Sequence, residues 1–236
     1  MFKPAILILA ALCATPLCAG TVSIYATANS QLEQSAPDNV WQDWGPAGSP
    51  MIIANWMPGQ EISDIFRFSL ATLPADATIT GAKLWLYDTG WNDANYYPLY
   101  SHPDSSWEPS SVTWNNFSTT SNVLVGSRTG SPGWQYNGWS IDTSAWNWAA
   151  DLTQGAATFQ LREGYGNYFA NQNDFYSAAY ADPAYRPYLE LDYSGGQESD
   201  PQAPEPSSFA LLGGGLAAAA GIRVFRVRGA TGGTRG

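Results

Sequence analysis

Apolar and polar residues alternate along much of the chain between positions 22 and 193, which is the pattern of β-strands with one buried face. In residues 65–70, for example, Phe66, Phe68 and Leu70 share one face. The same alternation predicts strands at residues 22–26, 82–88, 111–114, 157–162, 175–179 and 188–193. Turn-forming Pro, Gly, Asn and Asp separate these segments, so we predict an all-β fold built as an antiparallel β-sandwich.

One segment, residues 141–152, follows a helical period instead. Its apolar positions recur every three or four residues, at Ala145, Trp148, Ala149 and Leu152. Asp142 or Thr143 precedes them and is placed to cap the first turn. We therefore predict one short helix that covers an end of the sandwich, with its tryptophan packed in the core.

The chain begins with a segment that has the parts of a secretory signal peptide, residues 1–20. Lys3 precedes an apolar run over residues 5–12, and small residues end the segment. Cys13 and Cys18, the two cysteines of the chain, both lie in this predicted signal peptide, so the processed protein would have no thiol. That excludes a disulfide framework, a cysteine nucleophile and a thiolate zinc site.

The acidic net charge of the chain argues against some classes of binding partner. The formal net charge is −10, with 13% charged and 44% hydrophobic residues, which is enough apolar material for one core. No cluster of Lys and Arg lies outside the extreme C-terminus, so we predict no nucleic-acid binding. The acidic residues are predicted to keep the surface soluble. A structural Ca²⁺ held by acidic loops is the alternative, and no other cofactor is predicted.

After residue 194 the composition changes. Residues 194–208 are rich in Gly, Ser, Pro and acidic residues, a composition typical of a linker, and we assign residues 195–203 to that linker. An apolar run over residues 209–222 follows, and it is shorter than the roughly 20 residues that a membrane-spanning helix needs. Arg223, Arg226 and Arg228 come next and place positive charge where a cytoplasmic flank belongs. A tail of residues 229–236 ends the chain.

Pro204, Glu205 and Pro206, followed by a weakly apolar helix and the arginine cluster, resemble the PEP-CTERM sorting signal of Gram-negative bacteria over residues 204–228. The resemblance implies that an exosortase processes the chain near this motif, after the C-terminal apolar helix has held the chain at the membrane. It also implies an extracytoplasmic location, at the cell surface or secreted, and association with exopolysaccharide and biofilm.

The middle of the chain carries a second set of motifs. Residues 65–87 read IFRFSLATLPADATITGAKLWLY, and further blocks follow at residues 107–116, 139–162 and 175–189. In this order the blocks resemble the DNRLRE, or disaggregatase-related, family of carbohydrate-binding modules. The resemblance implies a jelly-roll-like sandwich over residues 21–194 in a secreted protein that binds polysaccharide. The family's N-terminal Asn-Tyr-Gly element is missing, and Asn39-Val40-Trp41 stands in its place.

Candidate catalytic residues are few. His102 is the only histidine, and we predict a solvated turn residue there. Glu108 lies in a Trp-Glu block, and we assign its side chain a structural hydrogen bond to turn backbone. No phosphate-binding glycine loop or nucleophile-elbow motif is present. Two carboxylates that meet at the distance needed for glycoside hydrolysis are an alternative that the sequence leaves open. We nevertheless predict that the protein is not an enzyme.

Exposed aromatic rings beside polar side chains favour sugar binding, because the C–H faces of sugars stack on such rings. The first predicted group lies in one turn and consists of Trp91, Asn92, Asp93, Tyr96 and Tyr97. The other predicted candidates are Trp41, Trp44, Trp134 and Tyr136. Trp85 and Trp114 fall within predicted strands and are assigned to packing. For each loop aromatic, a role in capping the sandwich end is the alternative.

These observations predict an exported surface or matrix protein whose non-catalytic domain binds an extracellular polysaccharide. The acidic chain favours a neutral glycan over a uronate polymer, because like charges repel across an interface. Two alternatives remain: a structural matrix protein with no specific ligand, and a polysaccharide-active enzyme.

Overall fold

The computed structural model describes residues 19–41, 51–55, 59–92, 96–129, 133–163 and 172–195. Within these residues the elements are, in chain order, β1 (Ala19–Glu33), β2 (Met51–Asn55), β3 (Glu61–Ser69), β4 (Thr78–Asn92), β5 (Tyr96–His102), β6 (Val123–Thr129), β7 (Tyr136–Ser140), α1 (Trp148–Gln154), β8 (Ala156–Leu161), β9 (Gln172–Phe175) and β10 (Tyr188–Ser194). A 3-10 turn at Pro183–Tyr185 precedes β10. The prediction of an all-β fold is confirmed, whereas the jelly-roll order stays a prediction.

Two long strands, β1 and β4, each take part in two antiparallel sheets. In the first sheet the initial half of β1 pairs with β10, β10 pairs with β4, and β4 pairs with β7. After a register shift between Ala26 and Ala28, the second half of β1 pairs with β3. The order β3–β8–β5–β6 continues this second sheet, and β2 and β9 connect β3 with the end of β4.

The inward faces of the two sheets form one apolar core. Its fully buried side chains come from both sheets, as with Phe66, Phe68 and Phe159 from the second and Leu84, Trp139 and Leu189 from the first. Each side chain of this size contributes roughly 1.5–3 kcal/mol when it leaves water. The predicted burial of Phe66, Phe68 and Leu70 on one face is confirmed.

The outer face of the second sheet is covered by the chain that follows β5. Leu32 and Ile65 point outward from β1 and β3, and they pack with Val112 and Phe117 in a small second core. Trp107 and Trp114 lie against the edge of this cluster, so the assignment of Trp114 to packing is confirmed. In the first sheet, by contrast, no such segment joins the outward side chains to a second apolar core among the described residues.

Five predicted strands are confirmed, in β1, β3, β4, β8 and β10. The prediction for residues 111–114 is wrong, because the amides of Ser111 and Val112 both donate to the Glu108 carbonyl and close a turn. The prediction for residues 175–179 is wrong beyond Phe175, since the Ala178 amide donates to the side chain of Asn29 instead of to a neighbouring strand.

The predicted helix is present but starts later than expected. Residue Asn147 precedes its first residue, Trp148, and makes no side-chain capping bond. Asp142, one of the predicted caps, instead accepts hydrogen bonds from the Ser144 amide and hydroxyl in a separate turn. Trp146 is the tryptophan of this segment that is fully inside the core, while Trp148 packs at the core's edge.

The predicted ends of the chain lie mostly outside the described residues. These are the signal peptide up to residue 18, the linker from residue 196 to 203, the sorting motif with its apolar helix at residues 204–228, and the tail at residues 229–236. Ala19 and Gly20, the last residues of the predicted signal peptide, begin β1 and pair with Ser194 and Tyr193 of β10. In the part of the chain that is described, no helix is long and apolar enough to cross a membrane.

Candidate functional site

The outward side of the first sheet carries a continuous group of aromatic rings, which we call the aromatic face. Its members are Tyr25, Trp85, Tyr87, Tyr136, Tyr176, Tyr180, Tyr185 and Tyr188. All of them are partly accessible to solvent, and Tyr25 is the most exposed, at 49%. Strands β1, β10, β4 and β7 supply five of the eight rings.

Strand register places the rings beside one another. Tyr25 lies opposite Tyr188, Tyr188 lies opposite Trp85, and Trp85 lies opposite Gly138. Because side chains alternate along a strand, these positions point away from the core that Leu84 and Leu189 enter. The ring centroids of Tyr25 and Tyr188 are 5.9 Å apart, and those of Trp85 and Tyr188 are 6.1 Å apart with planes 19° from parallel.

Gly138 gives the indole of Trp85 room to lie against β7. A Cβ atom at position 138 would come within 2.9 Å of Trp85 Cζ3 and within 3.0 Å of Lys83 Cδ. Any other residue would therefore push the ring or the lysine away from the strand. Lys83 in turn holds its Nζ 4.7 Å from the centre of the Trp85 ring, a cation–π contact.

The second half of the aromatic face is a cluster of tyrosines around Tyr87. Tyr136 meets Tyr87 edge to face at 5.1 Å, and Tyr176 stacks on Tyr87 at 5.8 Å. Tyr180 stacks on Tyr176 at 3.8 Å, and Tyr185 reaches Tyr87 at 4.5 Å. Offset and edge-to-face pairs of this kind contribute about 0.5–1.5 kcal/mol each beyond the area they bury, so the rings hold one another in place.

The phenol groups of Tyr136 and Tyr176 remain protonated far above neutral pH. Burial raises the pKa of Tyr136 to about 12, with smaller contributions from Tyr188 and Tyr25. Burial also raises the pKa of Tyr176 to about 12. The Tyr136 hydroxyl donates to the Ala184 carbonyl at 2.5 Å, which ties β7 to the turn before β10. These two phenols are therefore neutral at physiological pH.

Charges around the aromatic face are mixed and slightly acidic. The charged side chains within or beside it are Lys83, Asp182, Arg186, Glu190 and Asp192. Three carboxylates thus stand against two cations, on a chain whose net charge is −10. An anionic polymer would meet a surface of like sign here.

A cleft of about 350 Å³ lies on the other side of the sandwich, and all of its lining residues fall within residues 102–121, in the segment that covers the second sheet. Trp107, Asp104, Glu108 and His102 are among its lining residues. His102 is buried at the end of β5 rather than solvated as predicted, because both ring nitrogens contact backbone carbonyls and the ring stacks on Phe117 at 4.2 Å.

Glu108 is exposed, and its carboxylate contacts a side chain instead of the turn backbone that we predicted. Its Oε1 accepts from Arg67 at 3.4 Å, and 62% of its side chain is accessible to solvent. No group of three or more metal-ligating His, Cys, Asp or Glu side chains gathers in the described ranges. The structural Ca²⁺ considered from the sequence therefore has no candidate cluster in that part of the chain.

The predicted sugar-binding residues fall in different places. Tyr136 belongs to the aromatic face, and Trp134, which is 66% exposed, borders it because the Tyr87 hydroxyl donates to the Trp134 carbonyl at 3.4 Å. Trp41 is half-buried and forms an isolated bridge with Gln31, away from these rings.

The structure removes Tyr97 from the turn group that the sequence ranked first. Tyr97 is completely buried in β5, so its ring cannot stack on a ligand. Its backbone carbonyl accepts the indole N–H of Trp139 at 3.1 Å. Its neighbour Tyr96 is 47% exposed and starts β5. The backbones of Trp91 and Asn92 end β4, while their side chains, and all of Asp93 and Trp44, lie outside the described residues.

The sequence analysis missed most of the aromatic face, although strand alternation indicated the outward position of some of its rings. The alternation in β4 put Trp85 and Tyr87 opposite the core, and the same period puts Tyr188 outward in β10. Tyr176, Tyr180 and Tyr185 had no such signal, because they lie in turns that only the fold brings to Tyr87.

Two family models match the chain, one over the sandwich and one near the C-terminus. Residues 51–193 match the model of carbohydrate-binding module family 96, and residues 202–227 match the PEP-CTERM protein-sorting motif. The first match covers β2 through most of β10 and includes every ring of the aromatic face except Tyr25. No curated protein matches the chain.

Proposed function

The chain belongs to carbohydrate-binding module family 96, and from this we propose that its aromatic face binds an extracellular polysaccharide. The C-terminal match indicates an exported, extracytoplasmic protein of a Gram-negative bacterium that an exosortase sorts to the cell surface. The module would then act there without catalysis, in association with exopolysaccharide. The observation that carries this proposal is the group of eight partly exposed rings on and beside the outward side of the first sheet.

The geometry favours an extended ligand. Four strands contribute to the row that runs from Tyr25 to the edge at Tyr136, which at the usual strand spacing spans about 14 Å. A row of this length exceeds one sugar ring, and its members are partly exposed to solvent. Rings supply stacking contacts, while Lys83 and Glu190 alongside supply a donor and an acceptor for sugar hydroxyls.

The charge pattern favours a neutral glycan. A uronate chain on this face would approach three carboxylates on a strongly acidic protein, and the two nearby cations do not offset them. Neutral hydroxyl groups carry no such cost, and the protonated phenols can donate to them. The proposed ligand is therefore a neutral polysaccharide.

Native affinity electrophoresis of the purified protein in gels that contain single polysaccharides tests the proposal. We expect retention by at least one neutral polysaccharide and none by alginate. Trp85→Ala should weaken binding by about tenfold, in line with the loss of about 1.4 kcal/mol of ring contact. Tyr25→Ala should weaken it less, because that ring lies at the end of the row.

Tyr96→Ala is the matched control, since Tyr96 is as exposed as Tyr25 but lies in β5 of the second sheet. If Tyr96→Ala weakens retention and Tyr25→Ala and Trp85→Ala do not, the binding surface is elsewhere. If no polysaccharide retains the protein, the structural matrix alternative replaces this proposal. Release of reducing ends from a polysaccharide would instead favour the enzyme.

A further inference from the structure

The cleft formed by residues 102–121, at the end of β5 and in the segment that follows it, is large enough for a small ligand. Its volume of about 350 Å³ falls within the range of small-molecule sites in proteins, near the lower end. It lies outside the second sheet, where Trp107 meets Arg67 of β3 and Thr158 of β8. The aromatic face lies outside the first sheet, so the core of the sandwich separates the two surfaces.

The walls of this cleft are held rigidly. Trp107 donates its indole N–H to Thr158 Oγ1 at 2.9 Å, and its carbonyl accepts from Arg67 at 2.6 Å. The Arg67 guanidinium also lies 5.2 Å from the centre of the Trp107 ring. Elsewhere in the lining, the His102 ring bridges the Asp104 and Ser118 carbonyls at 2.7 and 2.8 Å. Such a preorganised cleft loses little conformational entropy when a ligand enters.

The lining has the chemistry of a site for hydroxyl groups. The carboxylates of Asp104 and Glu108 are hydrogen-bond acceptors, and Ser106 and Ser121 add hydroxyls that both donate and accept. Hydrogen bonds from Ser106 hold the pKa of Asp104 below its ordinary value, so this carboxylate is ionised at neutral pH. Trp107 supplies an aromatic surface for C–H groups.

The charge of the cleft disfavours anionic ligands. Two carboxylates line it, and Arg67, the cation beside Glu108, is engaged with that carboxylate and with backbone carbonyls. A phosphate or a uronate would meet an acidic lining. A neutral saccharide matches both the acceptors and the ring.

We propose that this cleft is a second saccharide site, which takes one or two residues of a neutral glycan, and that each chain thereby bridges two glycan strands. The inference rests on the proposed function for the choice of ligand but uses a different surface. Two sites on opposite sides of one sandwich cannot engage the same short stretch of polysaccharide. One protein would therefore cross-link the polysaccharide it binds, with the avidity that two linked sites provide.

Nuclear magnetic resonance of the indole N–H groups tests the proposal, because Trp107 reports on the cleft and Trp85 reports on the aromatic face. The probes are neutral monosaccharides and disaccharides, with glucuronic acid for comparison, added to the full-length protein. We expect several neutral sugars to move the Trp107 signal and glucuronic acid to leave it in place. Glu108→Gln should weaken the Trp107 response at least fivefold and leave the Trp85 response unchanged.

Asp76→Asn is the matched control, because it removes one exposed negative charge from a turn away from both surfaces and should bind as the wild type does. Movement of Trp85 without Trp107 overturns the second site and leaves the proposed function standing. Movement of Trp107 without Trp85 supports the second site and contradicts the aromatic face. If neither signal moves with any neutral sugar, both proposals fail.

Discussion

The carboxyl of Asp151 offers a test of the core that is independent of any ligand. Asp151 lies in the first turn of α1 with 3% of its surface exposed, and its Oδ2 accepts the indole N–H of Trp146 at 2.6 Å. Burial raises the pKa of Asp151 from 3.8 to about 6, although the Trp146 hydrogen bond works in the opposite direction. The folded protein therefore prefers the protonated carboxyl more strongly than the unfolded chain does.

The raised pKa of Asp151 determines how the free energy of unfolding changes with pH. Because the folded pKa is the higher one, the stability that protonation contributes is fully present below the unfolded pKa and is lost as pH rises through about 6. At about 1.4 kcal/mol for each pKa unit, the loss amounts to about 3 kcal/mol between pH 4 and pH 7. Asp151→Asn keeps an oxygen acceptor for Trp146 but cannot ionise, so it should be more stable than the wild type by up to about that amount at pH 7 and nearly equal at pH 4.

Urea unfolding of both proteins across this pH range measures the difference in the free energy of unfolding. The difference is the informative quantity, because Asp64 also has a raised pKa and contributes to the slope of both proteins. Asp142→Asn is the control: hydrogen bonds from Ser144 lower the pKa of Asp142, so its contribution is instead lost as pH falls. A difference between the wild type and Asp151→Asn that stays constant from pH 4 to pH 7 would refute the reasoning.

Two further predictions concern the aromatic face. Gly138→Val should displace the Trp85 indole and weaken polysaccharide retention several-fold. The free energy of unfolding in urea should change by less than about 1 kcal/mol, because the strand preference of valine offsets the lost ring contacts. Unchanged retention would contradict the role given to the glycine. The raised pKa of Tyr136 means that its contribution to stability is present below about pH 10 and is lost as pH rises through about 12. Tyr136→Phe should therefore show a smaller loss of circular dichroism in that interval, and an identical alkaline transition would argue against it.

The period of two in the sequence predicted the architecture well wherever strands have one apolar face. Phe66 and Phe68 in β3 and Leu84 and Leu86 in β4 enter the core as that period requires. Where a strand breaks the pattern, the prediction failed: β5 contains Pro98, which is uncommon inside a sheet, and no strand was predicted there. Tyr97 was consequently assigned to a loop although it is buried.

The same rule could not foresee polar residues on inward positions. Asp64 shares its face with Phe66, is completely buried, and has no hydrogen-bond partner for either carboxylate oxygen among the described residues. Burial and the nearby Asp174 raise its pKa well above the ordinary value. A carboxyl in such a place contradicts binary patterning, so sequence reasoning had no basis on which to predict it.

The sequence could identify outward positions but not which of the two outward faces another apolar segment would cover. The two sheets use these positions differently: in the second sheet Leu32 and Ile65 pack beneath Val112 and Phe117, whereas in the first sheet rings such as Trp85 contact one another. Threonine or lysine at those positions would keep the sheet soluble without leaving aromatic surface in water. Mutual ring contacts explain how the tyrosines stay ordered, but they do not explain why the rings are there. A ligand that covers the rings explains their presence, and the match to a carbohydrate-binding module makes a glycan the ligand to test first.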